Sequence, residues 1–209
     1  MIDVTQILLS HNINISGVFH VGAHECEELV DYITTLKVQM QNIIWVDAIQ
    51  EKVNQSVKRG IPNVYNAVIT DKDDQEVDFN VSNNGQSSSV LEFGTHAQEY
   101  PWCVYVDKIK QTSVTVDSFF ERNQLDASKY NFWNFDIQGA ELLALKGASK
   151  SLKHVKALYL EVNEKELYKN CGLINEIDHF LSQHNFKRVV TAMTDKGWGD
   201  ALYVINNEY

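Results

Sequence analysis

The chain has 209 residues, 44% of them apolar and 22% charged, with a formal net charge of −10. That length suits one sizeable core and is short for two, so a single domain over 1–209 is expected. The acidity argues against nucleic acid or an anionic membrane surface as partner.

No apolar run approaches the length of a membrane span. The opening segment MIDVTQILLSHN has no basic residues before its apolar part and no small-residue cleavage site. It reads as an amphipathic helix within 1–16 that leads into the domain, and not as a signal peptide. Three widely spaced cysteines, Cys26, Cys103 and Cys171, predict no disulfide framework and a reducing, cytoplasmic setting.

Val4–Ser10 is the expected first helix. Val18–Val21 has buried-strand character and runs into Gly22-Ala23. Leu29, Val30, Ile33 and Leu36 then repeat at helical spacing, predicting a helix over Glu25–Leu36. A strand, a glycine turn and a helix N-terminus make a corner whose backbone N–H groups can face a ligand. Ile43–Val46 is a second strand ending in Asp47, and Val53 and Val57 mark a helix that stops near Gly60 and Pro62. Val64–Val68 is a third strand. Val77, Phe79 and Val81 alternate with polar residues in a half-exposed one, and Ser82–Ser89 is a candidate mobile loop.

In the second half, Val114–Val116 leads to Asp117 as N-cap of a helix over Ser118–Asn123. Phe132–Ile137 is a strand, and Ala140–Lys146 is a helix closed by Gly147. Ala157–Val162 is a strand ending near Glu161, and Ile174, Ile177, Phe180 and Leu181 mark a helix. Lys187–Thr191 and Ala201–Ile205 close the chain as an antiparallel hairpin edge. Strands alternating with helices imply an α/β fold around a mostly parallel sheet.

Asp47 lies 25 residues beyond Gly22, where a carboxylate can accept both hydroxyls of an adenosine ribose or simply complement a helix dipole. A dinucleotide fingerprint wants a further glycine where this chain has Cys26-Glu27-Glu28, and carboxylates there would repel a pyrophosphate. The sulfonium of S-adenosylmethionine favours acid surroundings instead. Asp136 ends a strand expected beside the first, which aims its carboxylate into the same crevice. Gln138 either bonds the cofactor or holds the turn, and Glu141 is either a helix-start acid or an acceptor contact. An acceptor that must lose a proton as it is methylated needs a base; Asp136 is the first candidate, with Glu161 and His24 as rivals. Phe93, His96, Tyr100 and Trp102, beyond the serine-rich loop with Ser87 and Ser88, are either an acceptor wall or core. His20, His24 and Cys26 match no closed zinc spacing, so no metal is expected.

VGAH with Glu27-Glu28, the strand ending in Asp47, Asn66-Ala67-Val68, Gln86–Ser89 and above all DIQGAELLALKGA at 136–148 resemble the FkbM family of S-adenosylmethionine-dependent methyltransferases. LEVN at 160–163, Glu166-Leu167-Tyr168 and Gly199–Leu202 extend the likeness over most of the chain. The resemblance implies a class I methyltransferase-like (Rossmann-like) seven-stranded sheet with helices on both faces. It also implies O-methylation of a hydroxyl on a sugar, glycan or related metabolite. Gly22, Ala23 and His24, with His20 and Glu28, would then line the methionine part, Asp47 and Ala48 the ribose, and Ala67 and Val68 the adenine. Asp136 would face the methyl-transfer centre, and Ile137 and Gln138 would bind the cofactor beside it. Ser87, Ser88, His96 and Glu141 would face the acceptor, and the chain could form one domain of a larger glycan-modifying protein. His20 stands where many members carry Asp, and Cys26 where they carry Gly. The competing readings are an NAD-dependent oxidoreductase and a non-catalytic module of the same fold.

Overall fold

The computed structural model describes residues 2–206. After α1 (Val4–Ser10) come β1 (Val18–Val21), α2 (Leu29–Thr34), β2 (Ile43–Asp47), α3 (Gln50–Lys58), β3 (Val64–Asn66), β4 (Val68–Ile69) and β5 (Glu76–Ser82). The chain continues through α4 (His96–Glu99), β6 (Tyr105–Val114), α5 (Val116–Arg122), β7 (Phe132–Phe135), α6 (Glu141–Lys146) and β8 (Ala157–Asn163). It closes with α7 (Ile174–Gln183), β9 (Phe186–Met193) and β10 (Trp198–Ile205).

Seven strands form one sheet in the order β3-β2-β1-β7-β8-β10-β9. β1 pairs in parallel with both β2 and β7, while β10 runs antiparallel to β8 and β9. The expected class I arrangement and its closing hairpin are therefore both present. Alternate side chains leave the sheet on opposite faces. Phe19, Val21, Val46, Trp133 and Phe135 join one core, and Val18, Ile43, Trp45 and Phe132 join the other. Chain order reverses between β1 and β7, which opens a crevice at their carboxyl ends. Among the described residues no helix is long and apolar enough to cross a membrane.

Four local expectations are corrected. The helix over Glu25–Leu36 begins only at Leu29, because His24 (φ 41°) and Cys26 (φ 56°) take left-handed backbone that a helix cannot contain. The strand over Val64–Val68 splits after Asn66, whose side-chain amide donates to the Asp47 and Ala48 carbonyls. Val68–Ile69 then crosses to a second, three-stranded sheet, β4-β6-β5. Thr115, not Asp117, caps α5 by accepting from Ser118 N–H (3.1 Å). Asp117 instead accepts from the amides of Lys150 and Ser151, both at 2.8 Å. The strand from Phe132 stops at Phe135, because the Ile137 N–H turns to a buried Glu141 oxygen (2.9 Å).

Candidate active site

Gly22 ends β1 with φ +93°, and a Cβ there would lie 1.8 Å from the Asp136 carbonyl oxygen. Only glycine lets β1 and β7 converge so closely as they leave the sheet. The Gly22 and Ala23 amides both turn to the Val46 carbonyl (2.9 and 3.0 Å), which draws β2's end, and Asp47 with it, to the same corner. Each Asp47 oxygen accepts one backbone N–H, from His24 and from Ile49, both at 2.7 Å. A carboxylate oxygen has two lone pairs, so each keeps acceptor capacity toward the crevice.

Two cavities meet at Gly22, His24, Gln86 and Asp136. One runs under Asp47 and is walled by apolar side chains, including Val46, Ala48, Ile49, Ala67, Val68, Phe79 and Ile137. The other is polar and aromatic, with Glu27, Glu28, Ser87, Gln138 and Glu161 facing His96, Tyr100, Trp102 and Trp198. His24 Nε2, Glu28 Oε2 and His96 Nδ1 are enclosed and lack a hydrogen-bond partner within the chain. All three belong to residues lining the second cavity. Buried polar atoms without partners are rare, so the cavity is furnished for a polar occupant.

The sequence model of the Methyltransferase FkbM domain matches residues 20–188. The chain belongs to the FkbM methyltransferase family. No curated protein matches its sequence. Among solved structures it is similar to magnesium protoporphyrin IX methyltransferase from Synechocystis PCC 6803 with bound SAM. The TM-score is 0.48 at 12% identity, covering 98% of this chain and 77% of that one. It is also similar to TrmK of M. capricolum in complex with SAH (TM-score 0.44, 9% identity, 100% and 70% covered). A SAM dependent methyltransferase from Aquifex aeolicus aligns with TM-score 0.41 at 12% identity, covering 97% and 89%.

The FkbM block at 136–148 is built around Gln138. Its Nε2 donates to Asp136 Oδ1 (2.6 Å) and to Glu161 Oε2 (2.7 Å), and its Oε1 accepts from the Tyr168 hydroxyl (2.6 Å). Burial lifts the Glu161 carboxyl well above the usual range, and the neighbouring Asp136 carboxylate adds to it. Crowding by protein also raises Asp136, against the Gln138 hydrogen bond that lowers it. Water still reaches Asp136 from the crevice, which tempers that rise.

Of the expected cofactor residues, Gly22, His24, Asp47, Ala48, Ala67, Val68, Asp136 and Ile137 line the apolar cavity. Glu28 and Gln138 line the polar one. Two point elsewhere. Ala23 is buried in the core cluster that also holds Trp45. His20, buried between Trp45 and Tyr32, shares a hydrogen bond between its Nδ1 and the Tyr32 hydroxyl (3.0 Å). Burial drives its pKa down to about 4, so it is neutral. Of the expected acceptor residues, Ser87 and His96 line the polar cavity, but Ser88 faces the apolar one. Glu141 lines neither cavity. It is wholly buried and accepts the Ile137 and Gly139 amides (2.9 and 3.2 Å), which holds the turn from beneath.

The candidate mobile loop is knitted together: Ser88 Oγ receives the Ser82 N–H and donates to the Gly85 carbonyl, and Ser87 N–H meets Asn84 Oδ1. His96 stacks on Phe93 at 4.1 Å, so these aromatics serve both core and wall. Sequence reasoning gave Tyr168 no role of its own. Nothing in its spacing marks it, because it reaches Gln138 only through tertiary packing.

Proposed function

We propose that this FkbM domain is an S-adenosylmethionine-dependent O-methyltransferase whose acceptor is a hydroxyl of a sugar, a glycan or a related small metabolite. The observation that carries the reading is the meeting of an apolar cavity under Asp47 with a polar, aromatic one along a shared edge of Gly22, His24, Gln86 and Asp136, where Asp136 is the one carboxylate. Such a pair suits a cofactor and an acceptor approaching each other at one carboxylate.

The residues fit this cofactor. Asp47 retains acceptor capacity for ribose hydroxyls, and Ala48, Ala67, Val68 and Ile137 offer an apolar slot for adenine. The unpartnered His24 Nε2 and Glu28 Oε2 lie where a methionine amino-acid group would find hydrogen-bond partners. S-adenosylmethionine, when bound, supplies an electrophilic methyl group. The chain's own work is to orient the hydroxyl and take its proton. Asp136, open to the crevice, is the base. Glu161 is buried and its carboxyl well raised, so it is a poor base at neutral pH, and His24 is already bonded through Nδ1 to Glu27 (2.6 Å). Trp102 and Trp198 offer flat faces for a sugar ring. Cys26, Cys103 and Cys171 are buried free thiols, which favours a cytoplasmic setting.

The test is transfer from methyl-labelled S-adenosylmethionine to a panel of neutral sugars and glycosides together with amine-bearing counterparts. Label should appear as a methyl ether, and Asp136→Asn should lower turnover about 100-fold or more while leaving cofactor affinity intact. Label found only on nitrogen acceptors would overturn the O-methyl reading.

A further inference from the structure

Gln138 occupies a backbone position that costs free energy to hold. Its φ is +56°, and its carbonyl accepts from Ser89 Oγ (2.8 Å). The next residue, Gly139 (φ +93°), lies so close under Tyr168 and Cys171 that a Cβ there would approach their Cβ atoms to 3.1 and 2.8 Å. Strain of this kind persists where surrounding contacts over-determine it. Tyr168 is fully buried, and its single O–H points to Gln138 Oε1 at 2.6 Å rather than to the Ser87 carbonyl at 3.4 Å. That bond leaves the amide one orientation, with Nε2 between Asp136 and Glu161. An NH2 group has two hydrogens, one for each carboxyl.

We propose that Gln138, oriented by Tyr168, is a positioning residue that clamps the Asp136 and Glu161 carboxyls into one proton-holding pair. Glu161, the buried member, keeps a proton. Asp136, the crevice-facing member, stays ionised and receives the acceptor's proton; as that O–H bond breaks, its electron pair remains on the acceptor oxygen. The pair thus passes from one proton to two. The clamp does not depend on the methyltransferase reading, whereas its catalytic use rests on Asp136 being the base there.

The test is a carboxyl-resolved NMR titration of the full chain without cofactor, in wild type, Tyr168→Phe and Gln138→Asn. The other groups facing the pair are His20 on β1, Glu141 on α6, Tyr159 on β8 and Asp200 on β10, and their titrations are followed together with it. Asn tolerates the left-handed backbone and is one methylene too short to bridge, so it decides the matter if Tyr168→Phe does not fold. Loss of the donor should raise the Asp136 midpoint by about one pH unit in either variant. Curves that superimpose on wild type would overturn the clamp, since a merely structural role for Tyr168 leaves the carboxyl midpoints in place. A shifted pair with unchanged turnover would leave the clamp standing and remove Asp136 as the base.

Discussion

Gly22 and Asp136 meet backbone to backbone across the point where chain order reverses, with no room for a Cβ between them. Gly22→Ala therefore combines a left-handed φ with a direct clash against main chain that cannot swing aside. We expect a loss of at least ~3 kcal/mol of stability, or failure to fold. Urea unfolding measures it, and near-wild-type stability would show that the two strand ends are further apart than described.

Asp47 has a double task, holding the His24 and Ile49 amides and facing the apolar cavity. Asp47→Asn keeps one acceptor oxygen and removes the charge. It should weaken S-adenosylhomocysteine binding by about tenfold or more, with a stability loss of ~1–2 kcal/mol from the amide left without its acceptor. Unchanged affinity by fluorescence titration would remove Asp47 from the cofactor site.

The parts of this fold legible in the sequence are those whose signal is local. β1, β2 and the closing hairpin are short apolar runs, and Asp47 and Asp136 fall where a strand end must place them. β6 was not legible: its run YVDKIKQTSV is mostly polar and stands on an exposed sheet. Only the pairing of Lys108 with Asp78 (3.4 Å) and Lys110 with Glu76 (2.6 Å) across the strands betrays it, and that needs the register first. The roles of Glu141 and His20 were hidden for a related reason. Whether a polar residue turns into the core or the crevice depends on partners such as the Gly139 amide and Tyr32, which the chain brings near from other positions.

Glu141 makes a pH prediction. Burial raises its carboxyl from 4.5 to about 8, so it is neutral in the folded protein at pH 7. A raised folded-state value means the stabilisation is complete below 4.5 and is lost as pH rises from there toward 8, while the unfolded chain ionises first. Glu141→Gln retains an acceptor for the two amides and cannot ionise. Relative to wild type it should gain about 3–4 kcal/mol between pH 5 and 8. Urea midpoints at the two pH values decide it, and parallel profiles would mean that Glu141 is ionised in the fold.

Trp102 is 62% exposed at the mouth of the polar cavity. Trp102→Ala should leave stability within about 0.5 kcal/mol of wild type. If the side chain is an acceptor platform, the same change should raise the acceptor KM several-fold with little effect on cofactor binding. An unchanged KM would assign the acceptor to a different wall.

The most direct measurement is a calorimetric titration of the purified chain with S-adenosylhomocysteine, with NAD in parallel. The account predicts saturable binding of one S-adenosylhomocysteine per chain and none of NAD, because Glu27 and Glu28 line the cavity beside Gly22 and their carboxylates would repel a pyrophosphate. Binding of NAD would contradict it in favour of an oxidoreductase, and binding of neither would contradict it in favour of a non-catalytic module of the same fold.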